Sequence, residues 1–316
     1  MAQDFPEILN ENRSLETYFT LVGFSDSPQL HLPLLLVFYF MYILTITGNG
    51  LILVLVLFHT SLQTPMYFFL CHLASLDLCY TSVTLPNLIW LHSQSNKLIS
   101  FTGCISQQYF YIAFAVSEYF LLAAMAYDRY VAICNPLRYS SIMNTKTCLL
   151  LVKGCWLTGF ISSSFPVSFS SHLNFCKSRV INHFFCDLTA LLKMSCGKNT
   201  NIEVLILVES LALGFLPFLF TLSSYVIIVR AINSIPVKDG RMKALSTCTS
   251  HLTVVVLFYG TMIVVYMRPP SMYLPSHDKL YALLYTAVIP MINPMIYTLR
   301  NGDVKNAMKK FFLFAQ

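Results

Sequence analysis

Seven long apolar runs separated by short polar connections set the pattern of this 316-residue chain, at positions 32–58, 65–90, 101–134, 147–169, 202–229, 244–267 and 280–299. About 20 apolar residues in a helix cross the roughly 30 Å hydrocarbon layer of a membrane, so each run predicts one spanning helix. Apart from Asp128 and Arg129 near the end of the third run, the spans carry few formal charges: Asp77 in the second, Glu118 in the third, Lys153 near one end of the fourth, and Glu203 and Glu209 in the fifth. The expected fold is an all-α membrane protein, a seven-transmembrane helix bundle. Its parts are an extracellular N-terminal tail (1–31), the membrane domain (32–299) and a cytoplasmic tail (300–316). In that tail Lys305, Lys309 and Lys310 alternate with Val304, Ala307, Met308, Phe311, Phe312 and Phe314. The alternation predicts a short amphipathic C-terminal helix on the inner membrane surface.

The third run is the most informative. It begins just before Cys104 and ends in Met125-Ala126-Tyr127-Asp128-Arg129-Tyr130-Val131-Ala132-Ile133-Cys134. Cys104 and Arg129 are 25 residues apart, roughly 37 Å along one helix. The cysteine therefore emerges on one side of the membrane and the Asp-Arg pair on the other. A helix tethered outside and ionic inside suits a signalling receptor better than a pump or an enzyme. Arg129 is permanently charged. It either pairs with Asp128 at rest and turns to a partner when a neighbouring helix moves, or serves only as a positive-inside anchor. Glu118, 11 residues before Arg129, shares its face about 16 Å away.

Composition removes whole classes of function. Hydrophobic residues make up 56% of the chain and charged residues 11%, with a mean hydropathy of +0.64. Soluble domains average about 25% charged residues, which excludes a water-soluble globule. The net charge of +6 reflects sidedness rather than nucleic-acid binding. With the N-terminus outside, twelve of the 20 Lys and Arg fall on the inner side, and four of the outer eight sit in the long connection 170–199. Cytoplasmic connections concentrate Lys and Arg, so this orientation is the expected one. The first 31 residues lack the order of a cleaved signal peptide, and the first span is expected to direct insertion. Asn12-Arg13-Ser14 is a glycosylation acceptor on that side.

Cys104, Cys176, Cys186 and Cys196 fall outside, where disulfides persist. Four cysteines allow three pairings, which spacing does not separate. Cys71, Cys79, Cys134, Cys148, Cys155 and Cys248 lie in or below the membrane and are expected as free thiols. His183 and Cys186 form a soft-metal pair only if that thiol is not oxidised. The internal repeats of many transporters and the His-Glu-x-x-His and Gly-x-Ser-x-Gly motifs of enzymes do not occur.

The motifs, taken in order, resemble one family. They are Gly48-Asn49; Pro65-Met66-Tyr67-Phe68-Phe69-Leu70 and Leu73-Ala74-Ser75-Leu76-Asp77; the Met125–Cys134 stretch with Asn135-Pro136-Leu137-Arg138-Tyr139; Ser224-Tyr225; Lys243-Ala244-Leu245-Ser246-Thr247-Cys248 with Ser250-His251-Leu252; and Pro290-Met291-Ile292-Asn293-Pro294-Met295-Ile296-Tyr297. From about residue 19 to residue 310 the chain resembles an olfactory receptor of the rhodopsin-like G-protein-coupled class. The sixth span has Phe258-Tyr259-Gly260 with neither tryptophan nor proline, a departure from the wider class that olfactory receptors share. It argues against a proline-kink opening of that helix. The length of the outer connection is similar to that of the tetrapod-type branch.

The resemblance implies a receptor, not an enzyme. The implied ligand is a small, mostly apolar volatile held between spans 3, 5, 6 and 7. The implied partner is a stimulatory, olfactory-type heterotrimeric G protein leading to cyclic AMP, at the plasma membrane of olfactory cilia. The same fold serving a non-olfactory metabolite is the alternative; a channel or transporter would give flux without a G protein. The implied ligand-binding residues are Tyr111, Ile112, Ala115, Val116 and Tyr119; Glu209, Ser210 and Leu213; Tyr259, Met262, Ile263 and Tyr266; and Thr286. By spacing alone these stripes read as helix packing. Glu209 favours a basic or hydroxylated ligand if it faces inward and only snorkels if it faces the headgroups. The implied switch is Asp128, Arg129 and Tyr130 with Asn293 and Pro294, and Tyr225 and Tyr297 as active-state partners of the arginine. Asp77, Glu118, Asn49 and Asn293 are implied to form a polar cluster able to hold sodium. Two close carboxylates share a proton or a cation rather than both staying bare; a static hydrogen-bonded network is the alternative. The implied disulfides are Cys104–Cys186 and Cys176–Cys196, the first drawing the outer loop over the pocket. A ligand of roughly ten to fourteen heavy atoms at about 0.3–0.5 kcal/mol per atom implies millimolar to about ten-micromolar binding.

Overall fold

A computed structural model describes residues 18–24, 28–93, 97–175, 179–196, 200–234, 238–266, 275–300 and 302–314. One helix follows each apolar run. α1 is Pro28–Phe58, α2 is Pro65–Ser93, α3 is Phe101–Cys134 and α4 is Thr145–Ser171. α5 joins Thr200–Glu209, a π-helical turn at Ser210–Phe215, and Leu216–Asn233. α6 is Lys238–Tyr266, and α7 joins Pro275–Leu283, a second π-helical turn at Leu284–Val288, and Ile289–Arg300. Among the described residues six helices are long and apolar enough to span a bilayer, and α6 carries a shorter apolar stretch, Cys248–Val264. The result is a seven-helix bundle.

Local chemistry sets several boundaries. The Ser100 hydroxyl accepts from Gly103 N at 3.1 Å at the start of α3, and Asn144 Oδ1 accepts from Thr147 N at 2.9 Å at the start of α4. Each occupies an N–H that the first helical turn leaves without a partner. α3 is the central post: 72% of its most apolar window is buried, against 17% for α5, which turns most of its surface to lipid. α4 lies against α3 at Gly159, where a Cβ would collide with the Ala113 carbonyl and the Ser117 hydroxyl. Such close approach is how helices pack where burial from water offers no driving force.

The outer end carries structure that the apolar pattern does not announce. β1 (Tyr18–Leu21), in the tail, pairs antiparallel with β2 (Leu98–Ser100) and parallel with β3 (Val180–Ile181), giving the order β2-β1-β3. Phe19, Leu21 and Ile181 are buried there with Cys104, Cys186 and Leu191. Gly23 follows with a φ of 71°, a conformation that costs glycine little. Its N–H donates to the His183 carbonyl at 3.3 Å, and its carbonyl accepts from Lys279 Nζ at 2.5 Å. One turn of chain thus joins the tail, the outer loop and α7.

At the inner end α8, Gly302–Phe314, has the expected two faces. Val304 and Ala307 are buried, Met308 and Phe311 pack against the core, and Lys305, Lys309 and Lys310 are exposed. The glycosylation acceptor Asn12 lies outside the described residues.

Candidate functional site

Three groups of side chains line up along α3. The outermost surrounds a cavity of about 100 Å³. At about 30 Å³ per water that is room for about three waters, somewhat less than the roughly 150 Å³ cavity that holds benzene. α3 contributes Tyr111, Ile112, Ala115, Val116 and Tyr119; α5 contributes Glu209, Ser210 and Leu213; α6 contributes Met262. All nine were expected on the wall. Glu209 borders the cavity.

The remaining expectations fall elsewhere. Tyr259 is fully buried and donates its hydroxyl to the Tyr119 carbonyl at 2.8 Å, pinning α6 to α3 behind the cavity. Ile263 packs against the core and is not on the wall. Thr286 is buried and donates to Ala282 O of its own helix at 2.7 Å, leaving no hydroxyl proton for a guest. The Tyr266 side chain lies outside the described residues. α7 instead presents Tyr285, which with Tyr80 and Phe258 borders a smaller void of about 20 Å³ below.

Sequence reasoning missed the α4 residues Ser162 and Pro166, the α5 residues Ile206 and Gly214, and the roof of Asp187, Leu188 and Thr189. The roof had an available signal. These residues directly follow Cys186, which is bonded to Cys104 at the top of α3 with a Cα separation of 5.3 Å. Asp187 then caps the loop helix Leu188–Met194 by accepting from Thr189 N at 2.9 Å and Ala190 N at 3.2 Å. Disulfide and cap together fix the first turn of that helix over the cavity. Cys196 is also disulfide-bonded; Cys176, its expected partner, lies outside the described residues. Gly214 shows why α5 can follow the wall: a Cβ there would meet Met262 Cε at 2.9 Å.

His183 sits behind the roof, stacked on Phe184 at 4.8 Å and edge-on to Phe185 at 4.6 Å. Burial pushes its pKa down from 6.5 to about 4; the Asp187 charge opposes the shift and the Lys279 charge assists it. The imidazole is therefore neutral at physiological pH.

The middle group is polar and closed. Asp77, Glu118, Asn49 and Asn293 are all buried. Asn293 Nδ2 donates to both Asp77 oxygens, at 3.2 and 3.0 Å. Asn49 Nδ2 bridges α1 to α7 by donating to Thr45 O at 3.1 Å and Pro290 O at 3.0 Å. Asn49 therefore turns its amide protons to backbone rather than to the carboxylates. Both Glu118 oxygens and Asn293 Oδ1 are buried without a hydrogen-bond partner. Unpartnered carboxylate and amide oxygens are donors that suit a hard cation. Among the described residues no three His, Cys, Asp or Glu side chains converge on a metal position.

The inner group surrounds Arg129. Its Nε donates to Asp128 Oδ2 at 3.0 Å, its Nη2 makes a second contact to the same oxygen, and Tyr139 donates to Asp128 Oδ1 at 2.8 Å. Neither expected partner hydrogen-bonds Arg129. Tyr225 shares a 2.6 Å hydrogen bond with His251 Nδ1 between α5 and α6, while the Tyr297 hydroxyl is buried and unpartnered. Pro294 packs where a Cβ on Gly48 would approach to 3.0 Å, and Tyr130 lies between the main core and a smaller one around Tyr225 and Cys248. Arg129 is thus paired within its own helix, on a carboxylate that Tyr139 also holds. Beside it the turn Pro136–Arg138 holds Leu137 out, 99% exposed.

Comparison with known proteins identifies the family. Residues 38–314 match the family model described as "Olfactory receptor". Olfactory receptor 1L4 of Homo sapiens is 45% identical over 92% of this chain and 94% of its own length. Olfactory receptor 5B21 of Mus musculus is 43% identical, covering 95% of this chain and 94% of its own, and olfactory receptor-like protein OLF1 of Canis lupus familiaris is 44% identical, covering 96% and 97%. The chain belongs to the olfactory receptor family, and is a multi-pass plasma-membrane receptor of the G-protein-coupled kind rather than an enzyme.

Proposed function

We propose that this receptor takes a small, mostly apolar volatile into the cavity under the loop helix and activates a stimulatory, olfactory-type G protein that raises cyclic AMP. The observation that carries the reading is the stacking of two sites on one helix: a cavity of about 100 Å³ on outer α3 and a closed Asp128–Arg129 pair at its inner end. Apolar walls select by size and shape, while Glu209, Ser210 and Thr189 offer a few polar contacts to orient a hydroxyl or an amine.

A guest shifts the equilibrium only by binding one arrangement better than the other. α6 is the element to move. It closes the cavity through Met262, is pinned to α3 by Tyr259 and meets α5 through His251. Its displacement would release Tyr225 toward Arg129 and open a recess for the G protein beside Leu137. In the polar middle, Asp77, Glu118 and Asn293 would hold a sodium ion, or one carboxylate would hold a proton. Either supplies the positive charge that two buried carboxylates require. If sodium is the occupant, its addition raises the thermal midpoint of the wild type and not of Glu118→Gln; an equal response of both would rule it out.

The function is tested by cyclic AMP readout in cells expressing the chain against a volatile panel, with Arg129→Ala as control. Responses to a subset of volatiles that vanish in Arg129→Ala are expected. Ion flux without a G protein would contradict the proposal.

A further inference from the structure

A second concavity opens at the inner end of the bundle, with a volume of about 720 Å³. It is lined by the end of α1, the turn after it, the start of α2, the segment 139–145 and the start of α4, and by no residue of α3, α5, α6 or α7. The groove therefore faces outward, away from the bundle axis. We infer that it binds an anionic phospholipid of the inner leaflet, and that the bound lipid acts on the switch through Tyr139.

The two ends of the groove differ in chemistry. Leu57 and Phe68 form an apolar wall, continuous with the lipid face: Leu57 is 69% exposed and its neighbour Phe58 76%. In a membrane such surface is covered by hydrocarbon. A soluble partner would leave that half of the groove unmatched, whereas an acyl chain fills it. The other end is polar, with Thr64 and Asn144, and lies where α2 begins at Pro65 and α4 begins at Thr145. Two helix N-termini present partial positive charge there. No acidic residue lines the groove, and Arg138 and Lys146, each next in the chain to a lining residue, are exposed. Apolar wall, two positive helix ends and flanking cations together match a phosphate-bearing, negatively charged headgroup with its chain attached.

Tyr139 makes the site consequential. It lines the groove and also donates to Asp128 Oδ1 at 2.8 Å, on the carboxylate that holds Arg129. A lipid that orders Tyr139 in this position strengthens the closed arrangement, and one that displaces it frees Asp128. This consequence rests on the switch reading above; the binding itself does not.

The test uses the full chain in nanodiscs containing photoreactive phosphatidylserine or photoreactive phosphatidylcholine with the same acyl chains. Phosphatidylserine should label the segments around 57–72 and 139–148, and label them more than phosphatidylcholine does. Lys146→Ala, on an exposed site, should lower that labelling about fivefold at an unchanged thermal midpoint. Equal labelling by both lipids, labelling spread over other helices, or displacement by soluble glycerophosphoserine would overturn the assignment. Basal nucleotide exchange on the G protein should differ between the two lipids for the wild type. That difference should disappear in Tyr139→Phe, and in Leu57→Trp, which fills the groove without touching Asp128. A lipid dependence that survives both variants overturns the coupling through Tyr139. Labelling needs no G protein, so a failure of the switch reading and a failure of the lipid site give different results.

Discussion

At the outer end of the bundle the Cys104–Cys186 bond, three short strands and the Lys279–Gly23 contact tie the loop, the tail and α7 together. At the inner end Arg129, Asp128 and Tyr139, and separately Tyr225 and His251, are joined by hydrogen bonds, ion pairing and packing, with no covalent cross-link among the described residues. Each neutral hydrogen bond contributes about 1 kcal/mol net, whereas a disulfide typically contributes about 2–4 kcal/mol. On the proposed function, the outer end would keep its shape and the inner end would change it. The same helix, α3, runs through both, so a guest on its outer half would act against a fixed roof with the compliance below.

That contrast can be broken most severely at the disulfide. Cys104→Ala should cost about 2–5 kcal/mol and remove most folded receptor from the cell surface, measured by surface labelling and thermal unfolding. Survival of odorant responses at normal surface level would show that the roof does not need its tether. At the inner end, His251→Phe keeps a ring of similar size but removes the hydrogen bond shared with Tyr225. The loss of about 1 kcal/mol from the closed arrangement should raise basal cyclic AMP about fivefold with surface level unchanged; a fall in basal signalling would place the compliance elsewhere.

The outer end has a limit of its own in acid. His183 is docked neutral, with a pKa near 4, while the undocked loop binds a proton near 6.5. The undocked state therefore takes up more protons, and loop docking is at full strength above about 6.5 and weakens as pH falls toward 4. Amide exchange in the loop should be faster at pH 5 than at pH 7 after correction for intrinsic rates, and His183→Gln should flatten that dependence. The smallest expected effect is Glu209→Gln, which should shift preference away from amines and hydroxylated volatiles by about 1 kcal/mol, or fivefold in potency. An unchanged tuning profile would mean that this carboxylate does not meet the guest.

Much of this was legible in the chain because membranes impose one-dimensional rules. The seven helices and the two faces of α8 follow from run length and from the alternation of Lys with apolar residues. On the cavity wall, Tyr111, Ala115 and Tyr119 repeat at four residues on an uninterrupted α3, and all three are found there. Periodicity fails where the helix is not regular. Thr286 lies in the π-helical turn Leu284–Val288, where one turn takes extra residues and the facing side rotates. Asp187, Leu188 and Thr189 reach the cavity through a covalent bond to α3, and β1 forms only because two distant segments present edges to it. No local pattern encodes either.

The central claim is that occupancy of the outer cavity moves the inner end of α6. The direct measurement is the distance between spectroscopic labels at Leu245 on α6 and Lys146 on α4, both exposed, in the purified receptor with and without an activating volatile. The account predicts a longer distance with the volatile, and no lengthening when Ala115→Phe fills the cavity. An unchanged distance in a receptor that binds the volatile and still turns over its G protein would contradict it.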